Sequence, residues 1–125
     1  MSKDGAPKIE SISAVTLATA DMQRAMQFYS ALGFSFSYGG ADSAFTSFHV
    51  GSGHLNLILT PKNHIGSRWG RVIIYVSNVD DMYARAIAQG LHPEFAPRDA
   101  PWGERYFHLR DPDGHELSFA RQVAG

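Results

Sequence analysis

At 125 residues and 13.7 kDa, the chain has room for one ordinary domain or two very small halves sharing a core, and its 44% hydrophobic and 18% charged residues predict a packed interior rather than disorder. Eleven Lys and Arg against twelve Asp and Glu leave a formal charge of −1, so there is no electrostatic footprint for nucleic acid or an anionic membrane surface. No apolar run approaches the ~20 residues that span a bilayer, the opening MSKDGAPK lacks the apolar core of a secretory signal, and the absence of cysteine excludes disulfides, thiolate metal sites and a cysteine nucleophile. A cytoplasmic protein is expected, in which any metal must be held by His, Asp, Glu or backbone oxygen.

From Ile9 to Ala18 the chain alternates like a strand, with Ile12, Ala14, Thr16 and Ala18 on one side and Ser13, Val15, Leu17 and Thr19 on the other. Asp21 supplies an N-cap or first-turn acid, and Met22, Ala25, Met26, Tyr29 and Leu32 then fall at helical spacing up to Gly33. Short strands are predicted at Phe34 to Tyr38, Phe45 to Val50 and Leu55 to Thr60, punctuated by Gly39-Gly40 and Gly51-Ser52-Gly53. The plan then repeats. A strand from Val72 to Val76 leads to a helix carrying Val79, Met82, Tyr83, Ala86 and Ile87, which ends near Gly90. A short strand near Glu94, a strand from Arg105 to Leu109, the turn Asp111-Pro112-Asp113-Gly114 and a strand from Glu116 to Ala120 complete it.

Internal matches support the repetition. Asp21-Met22 recurs as Asp81-Met82, Leu32-Gly33-Phe34 as Gln89-Gly90-Leu91, Ser47-Phe48-His49-Val50 as Tyr106-Phe107-His108-Leu109, and Gly53-His54 as Gly114-His115, at offsets of 57 to 61. The expected organisation is one domain made of module one at about 9–60, a polar linker at 61–69, and module two at about 70–121. A module this small is marginal alone, so the halves are expected to share a core and enclose a pocket.

Val15-x-Leu17-x-x-x-Asp21-x-x-Arg24-Ala25-x-x-Phe28-Tyr29-x-x-Leu32-Gly33-Phe34 resembles the opening module of the vicinal oxygen chelate superfamily, which holds glyoxalase I-like lyases, bleomycin resistance proteins and extradiol dioxygenases. Asp111-Pro112-Asp113-Gly114-His115-x-x-Ser118-Phe119 resembles its closing hairpin. The resemblance implies an α+β fold of two tandem βαβββ modules around a shared concave pocket. Metal-dependent members place a His, Gln or Glu on the first and last strand of each module. Those positions fall here on Ala14, on Asn56 or Leu57 depending on register, on Arg71 and on Ser118. None is a normal ligand, and a guanidinium cannot ligate a divalent cation. No metal and no other cofactor is therefore expected.

Other residues carry two readings each. His54 and His115 follow turn glycines and read as exposed hairpin residues, and His64 and His92 as surface residues. His49 and His108 fall at matching strand positions. If Phe107 and Leu109 face the helix, His108 faces the open side of the sheet near Ser118, as a cavity-wall or a catalytic residue. Trp102-Gly103-Glu104-Arg105-Tyr106 is either a solvated loop or a pocket rim in which Trp102 stacks on a planar ligand and Arg105 holds a carboxylate. Arg71, heading a strand whose alternation puts Ile73 and Tyr75 on its face, is either the main ligand-binding charge or half of an ion pair with Glu104 or Glu116. Thr16, His49, Arg71, Tyr75, Trp102, Arg105, His108 and Ser118 form the candidate ligand-binding set, with no catalytic residue assigned.

Two functions are in play. One is a metal-free protein sequestering a small anionic or aromatic compound. The other is a glyoxalase-like lyase, isomerase or ring-cleaving dioxygenase with a displaced metal site. In either case the expected partners are a small molecule and a second copy of the chain, because open sheet faces and edges favour a homodimer.

Overall fold

Strand alternation and helix capping set the first module. In β1 (Ala14–Thr19), Leu17 and Thr19 are buried beneath a helix, while Ala14, Thr16 and Ala18 turn to the opposite face. Helix α1 (Met22–Ala31) starts where the Asp21 side chain accepts a hydrogen bond from the Arg24 backbone amide at 3.0 Å. It buries Met22, Ala25, Phe28 and Tyr29. At Gly33 the chain takes φ 97°, and the Phe34 amide donates back to the Tyr29 carbonyl, closing the helix end. Then come β2 (Ser35–Tyr38), β3 (Phe45–Val50) and β4 (Gly53–Leu59), giving a sheet of order β1-β4-β3-β2 with β1 parallel to β4.

The second module repeats this architecture with β5 (Arg71–Tyr75), α2 (Val79–Ala88), β6 (Arg98–Asp99), β7 (Glu104–Arg110) and β8 (Glu116–Gln122) in the order β5-β8-β7-β6. A single 3-10 turn at Lys62–His64 lies between the modules. The computed structural model describes residues 7–66 and 69–123, so Ser67 and Arg68 of the expected linker, and most of the opening segment, lie outside the described residues. Among the described residues, no helix is long and apolar enough to cross a membrane.

One apolar cluster runs through both modules, from Leu17, Tyr29, Phe48 and Leu57 to Ile74, Phe107, Leu117 and Phe119. Phe34 and Phe119 meet across the junction edge-to-face at 6.5 Å. Polar contacts fasten the same junction. The Tyr29 hydroxyl donates to Asp111 Oδ2 at 2.8 Å, the Ala20 amide donates to Asp113 Oδ1 at 2.9 Å, and His115 Nε2 lies 2.7 Å from the Ala18 carbonyl. The closing turn of module two thus binds the chain where β1 passes into α1.

Four expectations change. Ile9 to Ser13 are not strand, because β4 starts at Gly53 and offers no partner beyond the bond from the His54 amide to the Ser13 carbonyl. The strand expected near Glu94 forms at Arg98–Asp99 instead: the Glu94 amide still reaches the His108 carbonyl, but Pro97, which has no N–H, interrupts the ladder. The cap of α2 is Asn78, whose side chain accepts from the Asp81 amide, so Asn78 and not Asp81 corresponds to Asp21. His49 aligns in its sheet with Ala14 and His54, whereas the matching row of the second sheet is Arg71, Glu116 and Arg110. The counterpart of His49 is therefore Arg110, and His108 corresponds to Ser47.

Candidate functional site

Each helix covers one face of its sheet and leaves the other open, and the strand registers arrange the open faces in rows. In the first sheet the rows are Ala14–His54–His49, Thr16–Asn56–Ser47 and Ala18–Ile58–Phe45. In the second they are Arg71–Glu116–Arg110, Ile73–Ser118–His108 and Tyr75–Ala120–Tyr106. Where edge strands β1 and β5 approach one another, a cleft of about 490 Å³ opens, lined by Ile12, Ala14, His54, Trp69, Arg71 and Ile73 among others.

The Arg71 row is a compact charge network. Arg71 Nε donates to Glu116 Oε2 at 2.5 Å, and Arg110 lies 3.5 Å from Glu116 Oε1 and 3.8 Å from Glu94. Burial pushes the Glu116 carboxyl upward, but Arg71, His108 and Arg110 together outweigh it and hold the group below its ordinary range. Burial likewise lowers His108, with Arg71 and Arg98 adding to that effect against the pull of Glu116 and Glu94, so the imidazole is neutral at pH 7. Arg71 forms the ion pair with Glu116 that one of its two readings expects. The Arg71 side chain remains half exposed, and only its Nε is engaged in a hydrogen bond among the described residues.

The other candidates separate into groups. His108 and Ser118 are direct cross-strand neighbours, with Phe107 and Leu109 buried against the helix side. Tyr75 donates its hydroxyl to Glu104, to which the Trp102 indole also donates, at 2.9 Å. Thr16 accepts from the Asn56 amide at 3.3 Å on the first sheet, where the His49 ring lies 5.2 Å from that of His54. Arg105 stands apart. It alternates with Glu104 and Tyr106 onto the helix side, where it pairs with Asp80 at 2.9 Å and Asp99 at 3.1 Å, so no fork is left for a ligand on the open face. His115 is 3% exposed, not a solvent-facing hairpin residue, because Ala18 and the Trp69 indole, which donates to Nδ1 at 2.8 Å, occupy both ring nitrogens.

Sequence reasoning passed over Arg98, Phe95, Arg110 and Glu94. Arg110 had a legible signal, since it lies one residue before Asp111 as Glu116 lies one residue after His115, and Asp111 and His115 close the turn between them, which makes Arg110 and Glu116 cross-strand partners. Phe95 and Arg98 had none, because their placement depends on where the chain rejoins β7.

The positions that hold a metal in metal-dependent members all face open sheet surfaces. Register selects Asn56, while Leu57 is buried in the core. Ala14 has no donor, the Asn56 amide is turned to Thr16, Arg71 is permanently cationic and Ser118 offers a neutral hydroxyl. That set does not fit a divalent cation. Glu94, His108 and Glu116 do bring one ligand atom each within 4.8 Å of one another. Arg71 and Arg110 already neutralise those carboxylates, however, and a divalent ion within ~4 Å of a guanidinium would be repelled by several kcal/mol at intermediate dielectric.

Several solved structures share the fold. The chain is similar to TioX from Micromonospora sp. ML1, with 28% identity over 91% of this chain and 100% of that one, and a TM-score of 0.74. It is also similar to a bleomycin resistance determinant encoded on the transposon Tn5, with 19% identity over 92% and 100% of the two chains and a TM-score of 0.76. A lactoylglutathione lyase from Agrobacterium tumefaciens matches at 19% identity over 90% and 94%, with a TM-score of 0.74. No curated protein sequence matches the chain. The family profile described as Glyoxalase/Bleomycin resistance protein/Dioxygenase superfamily matches residues 11–119, and the chain belongs to that superfamily.

Proposed function

We propose that this protein sequesters a small anionic or aromatic compound without a metal cofactor, as a homodimer in the cytosol. One observation carries the reading: Ala14, Asn56, Arg71 and Ser118 stand where metal-dependent relatives place ligands, and together they supply neither a carboxylate nor an imidazole. Arg71 supports the anionic part, because it lines the cleft beside Ile73 while Glu116 engages only its Nε.

The rival reading is an enzyme with a displaced metal, favoured by the Glu94, His108 and Glu116 grouping. Elemental analysis of protein purified without chelator separates the two. We expect no stoichiometric zinc, nickel, manganese or iron, and a melting temperature that chelator leaves unchanged. One equivalent of metal per chain, lost together with stability, overturns the sequestering reading.

A further inference from the structure

The open face of the second sheet carries a flat aromatic platform at the end remote from the Arg71 row. Tyr75 reaches across β8 to donate its hydroxyl to Glu104 Oε2, and the Trp102 indole donates to Oε1 at 2.9 Å. One carboxylate therefore pins two rings that are 54% and 68% exposed. Trp102 in turn lies 5.9 Å from Tyr106 at an interplanar angle of 31°. Rings held in place by hydrogen bonds yet left in water are an already ordered surface, and a ligand that stacks there has little ordering cost left to meet.

The charges at this platform are arranged unlike those elsewhere on the face. Glu116 and Glu94, the other carboxylates there, are matched by Arg71 and Arg110. Glu104 is held by neutral donors instead, and those hydrogen bonds keep it ionised, below its ordinary range. Conversely, Arg98 has no carboxylate within ion-pair distance among the described residues. Its guanidinium carbon lies 3.8 Å over the Phe95 ring, and its Nε donates to the Tyr106 hydroxyl at 3.2 Å. The register sets these two charges on either side of one ring: Arg98 is directly across from Tyr106, and Glu104 is two residues along the same strand. Those offsets amount to roughly 5 Å and roughly 7 Å of backbone.

We propose that this platform is a subsite for a planar aromatic zwitterion, the ring stacking on Trp102 and Tyr106, a cationic group meeting Glu104, and a carboxylate meeting Arg98. A ligand of one sign satisfies one of these residues and brings its charge toward the other at a cost. A zwitterion satisfies both. The proposal rests on the sequestering reading and narrows its ligand to one bearing both charges.

The test uses three probes that share a ring: 4-(aminomethyl)benzoate, benzylamine and benzoate, each titrated into the full chain and followed by NMR at the indole N–H of Trp102. The zwitterion is expected to shift that signal and to bind at least tenfold tighter than either singly charged probe. Glu104→Gln, which keeps an acceptor for the rings, is expected to reduce the zwitterion to the affinity of benzoate, and Arg98→Gln to that of benzylamine. If E104Q alters the melting curve, R98Q alone decides. Equal affinity for all three probes, or unchanged affinity in the variants, overturns the charge pairing while the sequestering reading stands. A Trp102 signal unmoved by any probe overturns the subsite itself. The broader reading fails separately, on a stoichiometric metal in the elemental analysis.

Discussion

Asp111 shows how a single side chain ties the modules together. It is 5% exposed, its Oδ1 accepts from the Asp113 and His115 amides, and its Oδ2 accepts from the Tyr29 hydroxyl of the other module. Burial raises its pKa, and the hydrogen bonds from His115 and Tyr29 only partly offset that. A carboxyl whose folded pKa lies above its unfolded value contributes most below the unfolded pKa, and that contribution is lost as pH rises through the folded value. At pH values above that folded pKa the Tyr29 bond is a bond to a buried charge. Tyr29→Phe is expected to cost ~1.5–3 kcal/mol at pH 7, the usual worth of a hydrogen bond to a charged group, and distinctly less at pH 4. Denaturant melts at the two pH values check this, and equal stability of variant and parent at pH 7 counts against it. Little of this was legible locally. A histidine after a turn glycine looks exposed, and the carbonyl that buries His115 belongs to Ala18, 97 positions away. Arg71 was more legible: strand alternation gave its face, and the parallel pairing of β5 with β8 brought Glu116 to it.

At the scale of elements, both helices and most strands follow from period and capping, and the departures occur where pairing depends on a partner strand. The alternation of Ile9 to Ser13 looks like strand, yet a strand exists only as far as its neighbour extends. The same close pairing explains Gly53. A Cβ there would stand 2.8 Å from the Ser13 carbonyl oxygen, closer than real Cβ contacts come. Gly53→Ala is expected to force the β1–β4 ladder apart at its first rung, where the His54 amide meets the same carbonyl. A loss of about 1–3 kcal/mol, the usual cost of overpacking, is expected. Hydrogen exchange is expected to speed up at the His54 amide before it does in β3. Unchanged protection at His54 would mean that the Ser13 segment yields without strain. The internal repeat was legible as architecture and misread in detail. The cap pair Asp21 and Asn78 lies 57 apart, whereas Leu55 and Leu117, which face their helices alike, lie 62 apart. Each loop differs in length, so a match of letters at one constant offset slips by a residue or two, and His49 with His108 is such a slip.

For the whole molecule, the question is what covers the open faces. Fold class was readable because two motifs and a repeat span nearly the whole chain; the distribution of apolar surface was not, because it depends on which face each helix takes. Ile58, Phe45 and Ile73 project from open faces, and Ile73 is 58% exposed. Soluble monomers rarely leave contiguous apolar patches of more than a few hundred Å² in water. Strands β1 and β5 each pair on one side only, so backbone donors and acceptors lie free beside the cleft. A second copy placed by a two-fold axis would cover such surface, since in an isologous interface the same patch of each protomer packs against its counterpart. Light scattering at micromolar concentration is expected to give twice the 13.7 kDa chain mass. Ile58→Asp is expected to shift that mass toward the monomer while the far-ultraviolet circular dichroism stays unchanged, because the side chain is 44% exposed and outside the core. A monomer mass for the unaltered protein overturns the homodimer, and a dimer that survives Ile58→Asp moves the interface off the first sheet.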